Sequence, residues 1–205
     1  MSAQRIPYLS PQQYLEIERA ALDKSEYFSG QMFAMASASR EHNLITGNIF
    51  GEIRDHLKGT PCETYPSDMR VLVSATGLYS YPDVSVACEE PEFLDGHVDI
   101  LLNPRVIVEV PSDSTENDDR GSKFSQYQQI GSLQEYVLTA QDKACVERYS
   151  RPPGSGQWQY EKSEGPEAGV TLHSLGFSIP LSEIYARVTF AAAEPGTPKA
   201  GEHTI

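Results

Sequence analysis

Two nearly continuous apolar runs, LYSYPDVSVAC at 78–88 and RVIVEV at 105–110, constrain this chain more than any other feature. Runs so rich in valine and isoleucine belong to strands buried on both faces, so they predict a central sheet. The second run carries a charge, Glu109, which is costly to desolvate unless a metal or a buried cation compensates it. Pro82-Asp83 stands at the start of the neighbouring buried strand. Two carboxylates brought together by adjacent strands make a site for Mg²⁺, a hard ion that takes oxygen ligands. On spacing alone, a satisfied salt bridge or a Glu109 facing solvent explains the same pattern equally well.

Elements around these strands follow from local signals. Ser10, Pro11 and Gln13 read as N-cap, first helical residue and capping-box partner of a short helix. SEYF, a Ser29-Gly30 turn and QMFAMA predict a β-hairpin, with a helical reading of the second run still open. Ser39 caps a longer helix whose Ile45, Ile49, Ile53 and Leu57 form one apolar stripe, ended by Gly59 and Pro61. CETYP and MRVLVS read as strands, and residues 89–104 as a surface loop. PSDSTENDDRG feeds a helix through Ile130, followed by strands LQEYVLT and ACVERYS. The Gly- and Pro-rich stretch after Ser150 predicts a C-terminal hairpin region around a short strand at Trp158–Tyr160, closed by a short helix at Leu181–Tyr185. From Ala191 onward the composition is that of a solvated tail. The expectation is one α/β (α+β) domain over residues 1–188, with a flexible tail at 189–205.

The chain has 205 residues, with 29 acidic against 16 basic side chains and a formal net charge of −13. Nucleic-acid affinity rests largely on lysine and arginine neutralising phosphates, so this balance opposes a broad DNA-binding face. Bound divalent cations change that local sign. No run approaches the roughly 18 apolar residues of a membrane span, and the N-terminus lacks a secretory pattern. A cytoplasmic protein with no membrane partner is expected. Cys62, Cys88 and Cys145 form no CxxC pair and are expected to be reduced thiols.

Asp119, Lys123 and Tyr127 recur at i, i+4 and i+8 and so share one helix face. If that helix packs at the end of the Glu109 strand, Lys123 reaches the carboxylate pair and balances charge on a phosphoryl oxygen. An ordinary exposed Asp119–Lys123 pair is the plainer alternative. His56, His97, His173 and His203 lack metal-ligand spacing, and no G-x-S-x-G elbow or Walker-type loop is present.

The order YPDVSV, VIVEV, S-x-S-T, DRGSKF and LQEYVL resembles the Uma-two (Uma2) family of endonucleases, within the PD-(D/E)XK restriction-endonuclease-like superfamily. The similarity takes in SEYFSGQMFAMA, the EHN helix and CETYPSDMRV upstream, and VERY, Trp158 and SEIY downstream, covering roughly residues 8–188. It implies a restriction-endonuclease-like core with a mixed central sheet flanked by helices, plus an extra N-terminal hairpin. It also implies a Mg²⁺ or Mn²⁺ site at Asp83 and Glu109, with Lys123 completing the catalytic set. In the superfamily that lysine stands two residues after the glutamate, where this chain has Pro111; in the family pattern it has moved to the following helix. Glu26 resembles an upstream acidic residue that completes a second metal position or holds Lys123. His42 matches a family histidine that contacts substrate or acts as a local base, although bonding to its own helix terminus or to a carboxylate explains it equally. Asp119 is a further accessory candidate. After Glu109 the family's Leu-Ser-Pro-Ser is replaced by Pro111-Ser112-Asp113-Ser114, and Asp113 either strengthens metal binding or repels a phosphate backbone.

The resemblance therefore implies metal-dependent hydrolysis of phosphodiester bonds, with DNA as substrate. A catalytically weak or inactive nuclease-fold protein acting as a binding or scaffold module is the alternative, and the net charge favours it. A two-carboxylate glycosidase fits less well, given the lysine. A homodimer is expected from the frequency of two-fold assemblies and from an aromatic surface around Tyr136, Tyr149 and Trp158.

Overall fold

Capping chemistry fixes the two helices that the sequence marks most clearly. In the computed structural model, which describes residues 8–112, 116–152 and 154–190, helix α1 spans Pro11–Glu18. Ser10 and Gln13 form the expected capping box. Helix α2 spans Arg40–His56, and its cap Ser39 accepts the His42 N–H at 2.9 Å. Ile45, Ile49, Ile53 and Leu57 make a single buried stripe along α2.

The strands form two mixed sheets and a separate two-stranded one. Strands β1 (Ser25–Phe28) and β2 (Gln31–Ala34) make the expected hairpin, with Ser29 and Gly30 both at positive φ; that is the tight-turn geometry matching strand twist. They join β4 (Arg70–Val73), β5 (Leu78–Ser80) and β7 (Ile100–Leu101) in a five-stranded sheet of order β2-β1-β5-β4-β7. The six-stranded sheet, of order β11-β10-β9-β8-β6-β3, contains β3 (Glu63–Pro66), β6 (Val84–Ala87), β8 (Val106–Glu109), β9 (Glu135–Thr139), β10 (Cys145–Ser150) and β11 (Gln159–Glu164). Its β8–β9 pair is parallel and its other pairs are antiparallel. A hairpin of β12 (Gly169–Leu172) and β13 (Phe177–Pro180) leads into α5 (Leu181–Ile184).

Side-chain alternation sorts the core into layers. Val84, Val86, Val106, Val108 and Val137 face the α2 stripe on one side of the six-stranded sheet. Ala87, Ile107, Tyr136 and Leu138 face the other way, and meet Val71, Val73 and Leu78 of the five-stranded sheet. A third cluster, built on Tyr14, Tyr27, Leu72 and Tyr79, lies between α1 and the outer face of the five-stranded sheet. The segment after β8 closes the middle layer with α3 (Glu116–Asp118), a π-helical turn at Asp119–Lys123 and α4 (Phe124–Tyr127).

The structure corrects four expectations. LYSYPDVSVAC is not one strand: β5 pairs in the five-stranded sheet and β6 in the six-stranded one, with Tyr81-Pro82-Asp83 crossing between them. Pro82 has no N–H to give a ladder, so it suits a place where the chain leaves one sheet. The segment 89–104 is not wholly loop, because the buried pair Ile100–Leu101 adds a strand parallel to β4. Cys62 and Cys88 are not reduced thiols but a disulfide. The antiparallel register Glu63↔Ala87 carries them opposite one another, with Cα atoms 4.0 Å apart, and only Cys145 is free. Of the aromatic residues expected at a dimer surface, Tyr136 lies inside the core, while Tyr149 and Trp158 are half-buried against it. Tyr136 is fully buried, and Phe124 lies 5.2 Å from Tyr136, 4.3 Å from Tyr149 and 5.3 Å from Trp158 between ring centres. Asp113 and the expected tail from Ala191 lie outside the described residues. Among the described residues no helix is long and apolar enough to cross a membrane.

Candidate active site

The crossing at Pro82 delivers the first carboxylate. One step beyond the Val84↔Val108 pair, Asp83 stands opposite Glu109, on the sheet face that also carries Ser85 and Ile107. Asp83 Oδ2 accepts the Val110 N–H at 2.8 Å, which ties the end of β8 to the start of β6. Its Oδ1 lies 3.1 Å from His42 Nε2, so the first turn of α2 reaches the same carboxylate. The plainer reading of His42, a bond to a neighbouring carboxylate, is what the geometry shows.

The π-helical turn supplies the cation. Such turns add a residue to the helical repeat and re-aim side chains, and they recur at functional sites. Lys123 Nζ sits 3.0 Å from Glu26 Oε1, 3.1 Å from Glu109 Oε1 and 3.5 Å from Asp119 Oδ1. The Asp119–Lys123 pair is therefore buried in a cluster rather than an ordinary exposed pair. Glu26 also accepts the Tyr81 N–H at 3.2 Å, so the residue before Pro82 helps to hold it. Tyr127 donates to Glu109 Oε1 at 2.9 Å and lies 2.9 Å from Ser80 Oγ.

Electrostatics in this cluster are unbalanced. Three carboxylates, those of Glu26, Glu109 and Asp119, surround the Lys123 ammonium, and Asp83 adds a fourth beside Glu109. Burial pushes Glu109 well above the usual carboxylate range; Lys123 opposes the shift, while Asp119, Asp83 and Glu26 reinforce it. Burial likewise disfavours charge on Lys123, but Glu109, Glu26 and Asp119 outweigh it and raise the ammonium's pKa well above its usual value. The cluster forms the floor of a cleft of about 850 Å³.

This donor set suits a hard divalent cation. All its candidate ligands are carboxylate oxygens, and the excess negative charge is what such an ion would neutralise. Among the described residues no three His, Cys, Asp or Glu side chains form a ready-made cage. Mg²⁺ commonly binds through one or two carboxylates and retains water elsewhere, and Asp83 with Glu109 offers that pair.

Sequence reasoning missed three contributors. Gln141, in the turn between β9 and β10, donates through Nε2 to the carbonyls of Pro111 (2.9 Å) and Val110 (3.3 Å), while its Oε1 accepts from Ser39 Oγ at 2.7 Å. The parallel β8–β9 pairing is the signal that would have found it, since it puts the loop after β9 beside the loop after Glu109. The helix period gives Tyr127 its face but not its partners, and Ser80, at the end of β5, meets Tyr127 only because the chain changes sheet after it.

Comparisons with known proteins give the family and the fold. The family model Uma2, described as "Putative restriction endonuclease", matches residues 11–182, a span that includes Glu26, His42, Asp83, Glu109, Asp119 and Lys123. The uncharacterized protein slr1290 of Synechocystis sp. is 34% identical over 187 residues, covering 90% of this chain and 95% of its own length. A second uncharacterized Synechocystis protein, sll1609, is 36% identical over 162 residues, covering 79% of this chain and 91% of its own. A solved structure described as a "putative nuclease belonging to DUF820", from Anabaena variabilis, shares the fold with a TM-score of 0.72 at 17% identity. It covers 88% of this chain and 99% of that one.

Proposed function

The chain belongs to the Uma2 family, and from that premise we propose that it is a divalent-metal-dependent endonuclease acting on DNA phosphodiester bonds in the cytoplasm. The observation that carries this reading is Lys123 Nζ 3.1 Å from Glu109 at the end of β8, with Asp83, just before β6, accepting the N–H of the next residue, Val110, at 2.8 Å. Asp83 and Glu109 would hold Mg²⁺ or Mn²⁺. An ion there supplies a water of lowered pKa and neutralises charge on the phosphoryl oxygens.

The chain's own residues do the positioning. Val110 N–H and His42 hold the two oxygens of Asp83, and Tyr127 and Lys123 hold Glu109 Oε1. Lys123 stays an ammonium under its three carboxylates, and its charge, rather than a free N–H, offsets the growing phosphoryl charge. Glu26 and Asp119 act through Lys123 by fixing its position. DNA enters as substrate by analogy with the family, an associational argument. Two-fold association would pair two such centres.

The net charge of −13 favours the competing reading, a binding or scaffold module that keeps the fold without efficient cleavage. Nicking of supercoiled plasmid with Mg²⁺ or Mn²⁺, by wild type and an identically prepared Asp83→Asn, separates the two. Cleavage that disappears in the variant and with chelator supports the nuclease. Equal cleavage by both, or none by either, removes the assignment of Asp83 or of the activity.

A further inference from the structure

The hairpin β1–β2 has two unlike faces. Tyr27 and Met32, directly paired across it, pack with Tyr14 of α1. Glu26 and Phe33 are the next cross-strand pair and point the other way, into the cleft. Directly opposed strand residues have Cβ atoms about 4.5–5.5 Å apart, so the Phe33 ring stands beside the carboxylate that holds Lys123. Phe28 on the same face packs back against the middle core layer. Phe33 does not: it is 50% exposed, and Met35 beyond it is 37% exposed. Phe33 and Met35 thus leave apolar surface open to the cleft at the edge of the charged cluster.

Cations in the cleft are already engaged. Lys24 bonds the Ser67 carbonyl (2.9 Å) and Asp68 (3.0 Å), His42 is paired with Asp83, and Lys123 with its three carboxylates. Among the described residues that line the cleft, no cation is left free to track a nucleic-acid backbone, single- or double-stranded, so affinity has to come from another contact. Within a duplex, moreover, base faces are covered by stacking, and the grooves present only base edges. A ring beside the reacting phosphate is reached only by a base outside the stack.

We propose that Phe33 is a stacking platform for a nucleobase, and that the cleft takes unpaired nucleotides, in single strands or flipped out, rather than intact duplex. The inference rests on the nuclease reading above and names the form of its substrate. Base–aromatic stacking tolerates any sequence and supplies affinity that the scarce cations do not.

Fluorescence anisotropy tests it, using a short labelled DNA single strand and a duplex of the same sequence in Ca²⁺, with cleavage of both followed separately in Mg²⁺. Wild type should bind the single strand about ten-fold or more tightly than the duplex. Phe33→Ala should lose about ten-fold of that affinity, and Phe33→Trp should keep it. Circular dichroism of both variants guards against misfolding. Equal affinity for duplex, or an unchanged Phe33→Ala, overturns the proposal. So does a change of oligomeric state in Phe33→Ala with affinity unmoved, which would assign the ring to a second copy. Stacking without any cleavage would sink the nuclease reading alone, whereas Asp83-dependent cleavage indifferent to Phe33 would sink the platform alone.

Discussion

Glu109 and Glu135 are both buried carboxylates on parallel neighbours of one sheet, 4% and 1% exposed, yet their surroundings differ completely. Glu135, at the start of β9, accepts from Arg148 Nη1 (2.8 Å), His173 N (2.9 Å), Ser174 N (3.1 Å) and the Ser174 hydroxyl. Both its oxygens are met, and Arg148 is itself clasped by Glu161. Glu109, at the end of β8, has Lys123 and Tyr127 on the same oxygen and three further carboxylates nearby. A buried charge with its donors complete fastens one part of a fold to another. A buried charge crowded by its own sign is held for something that arrives from outside, and this contrast separates structure from chemistry here.

Exchanging each carboxylate for its amide should break the contrast in opposite ways. Glu109→Gln is expected to lower metal-dependent cleavage by about 10³-fold, the loss of several kcal/mol of transition-state stabilisation, with stability kept or raised. An unchanged rate in single-turnover cleavage would remove Glu109 from the chemistry. Glu135→Gln should instead cost about 3 kcal/mol in urea unfolding, because it leaves Arg148 short of a buried partner; a loss within experimental error would contradict the fastening role. Divalent metal sharpens the distinction. At about 100-fold over its dissociation constant, Mn²⁺ should stabilise wild type by about 2.7 kcal/mol and Glu135→Gln by as much, but leave Asp83→Asn unmoved in thermal melts.

The smallest effect belongs to a third setting, the surface carboxylates Asp95 and Asp99 gripped by Arg19. The His97 backbone N–H, and then Arg19, hold Asp95 down to about 2, and the Arg19 side chain lowers Asp99. A folded value below the unfolded one, near 4, gives stability that is present above that unfolded value and lost as pH falls toward 2. Arg19→Gln should therefore flatten the dependence of the unfolding midpoint between about pH 4 and 2, with neutral-pH cleavage unchanged. An identical acid slope would refute the pairing.

What the sequence discloses is what local chemistry decides. Ser10 and Ser39 announce their helices because capping is settled within four residues, and the stripe on α2 follows from its period. The change of sheet at Pro82 is hidden because β5 and β6 are both covered on two faces and so share one apolar pattern. The Cys62–Cys88 bond is hidden for a related reason: it depends on the β3–β6 register, not on the 26-residue separation along the chain. At the site, the family pattern pointed to Asp83, Glu109, Lys123 and Glu26, which the fold brings into one cluster. Gln141, Tyr127 and Phe33 carry no such mark, since their partners are met only after β8 and β9 align and the hairpin turns its face.

The crossing at Tyr81-Pro82-Asp83 also divides the cluster between the two sheets. Asp83 and Glu109 are anchored in the six-stranded sheet, whereas Glu26 and Phe33 ride on a hairpin at the border of the five-stranded one. The cluster is therefore assembled from both sheets at once: the hairpin's Glu26 meets the same ammonium that Glu109 meets, so the packing of one sheet on the other is what completes it.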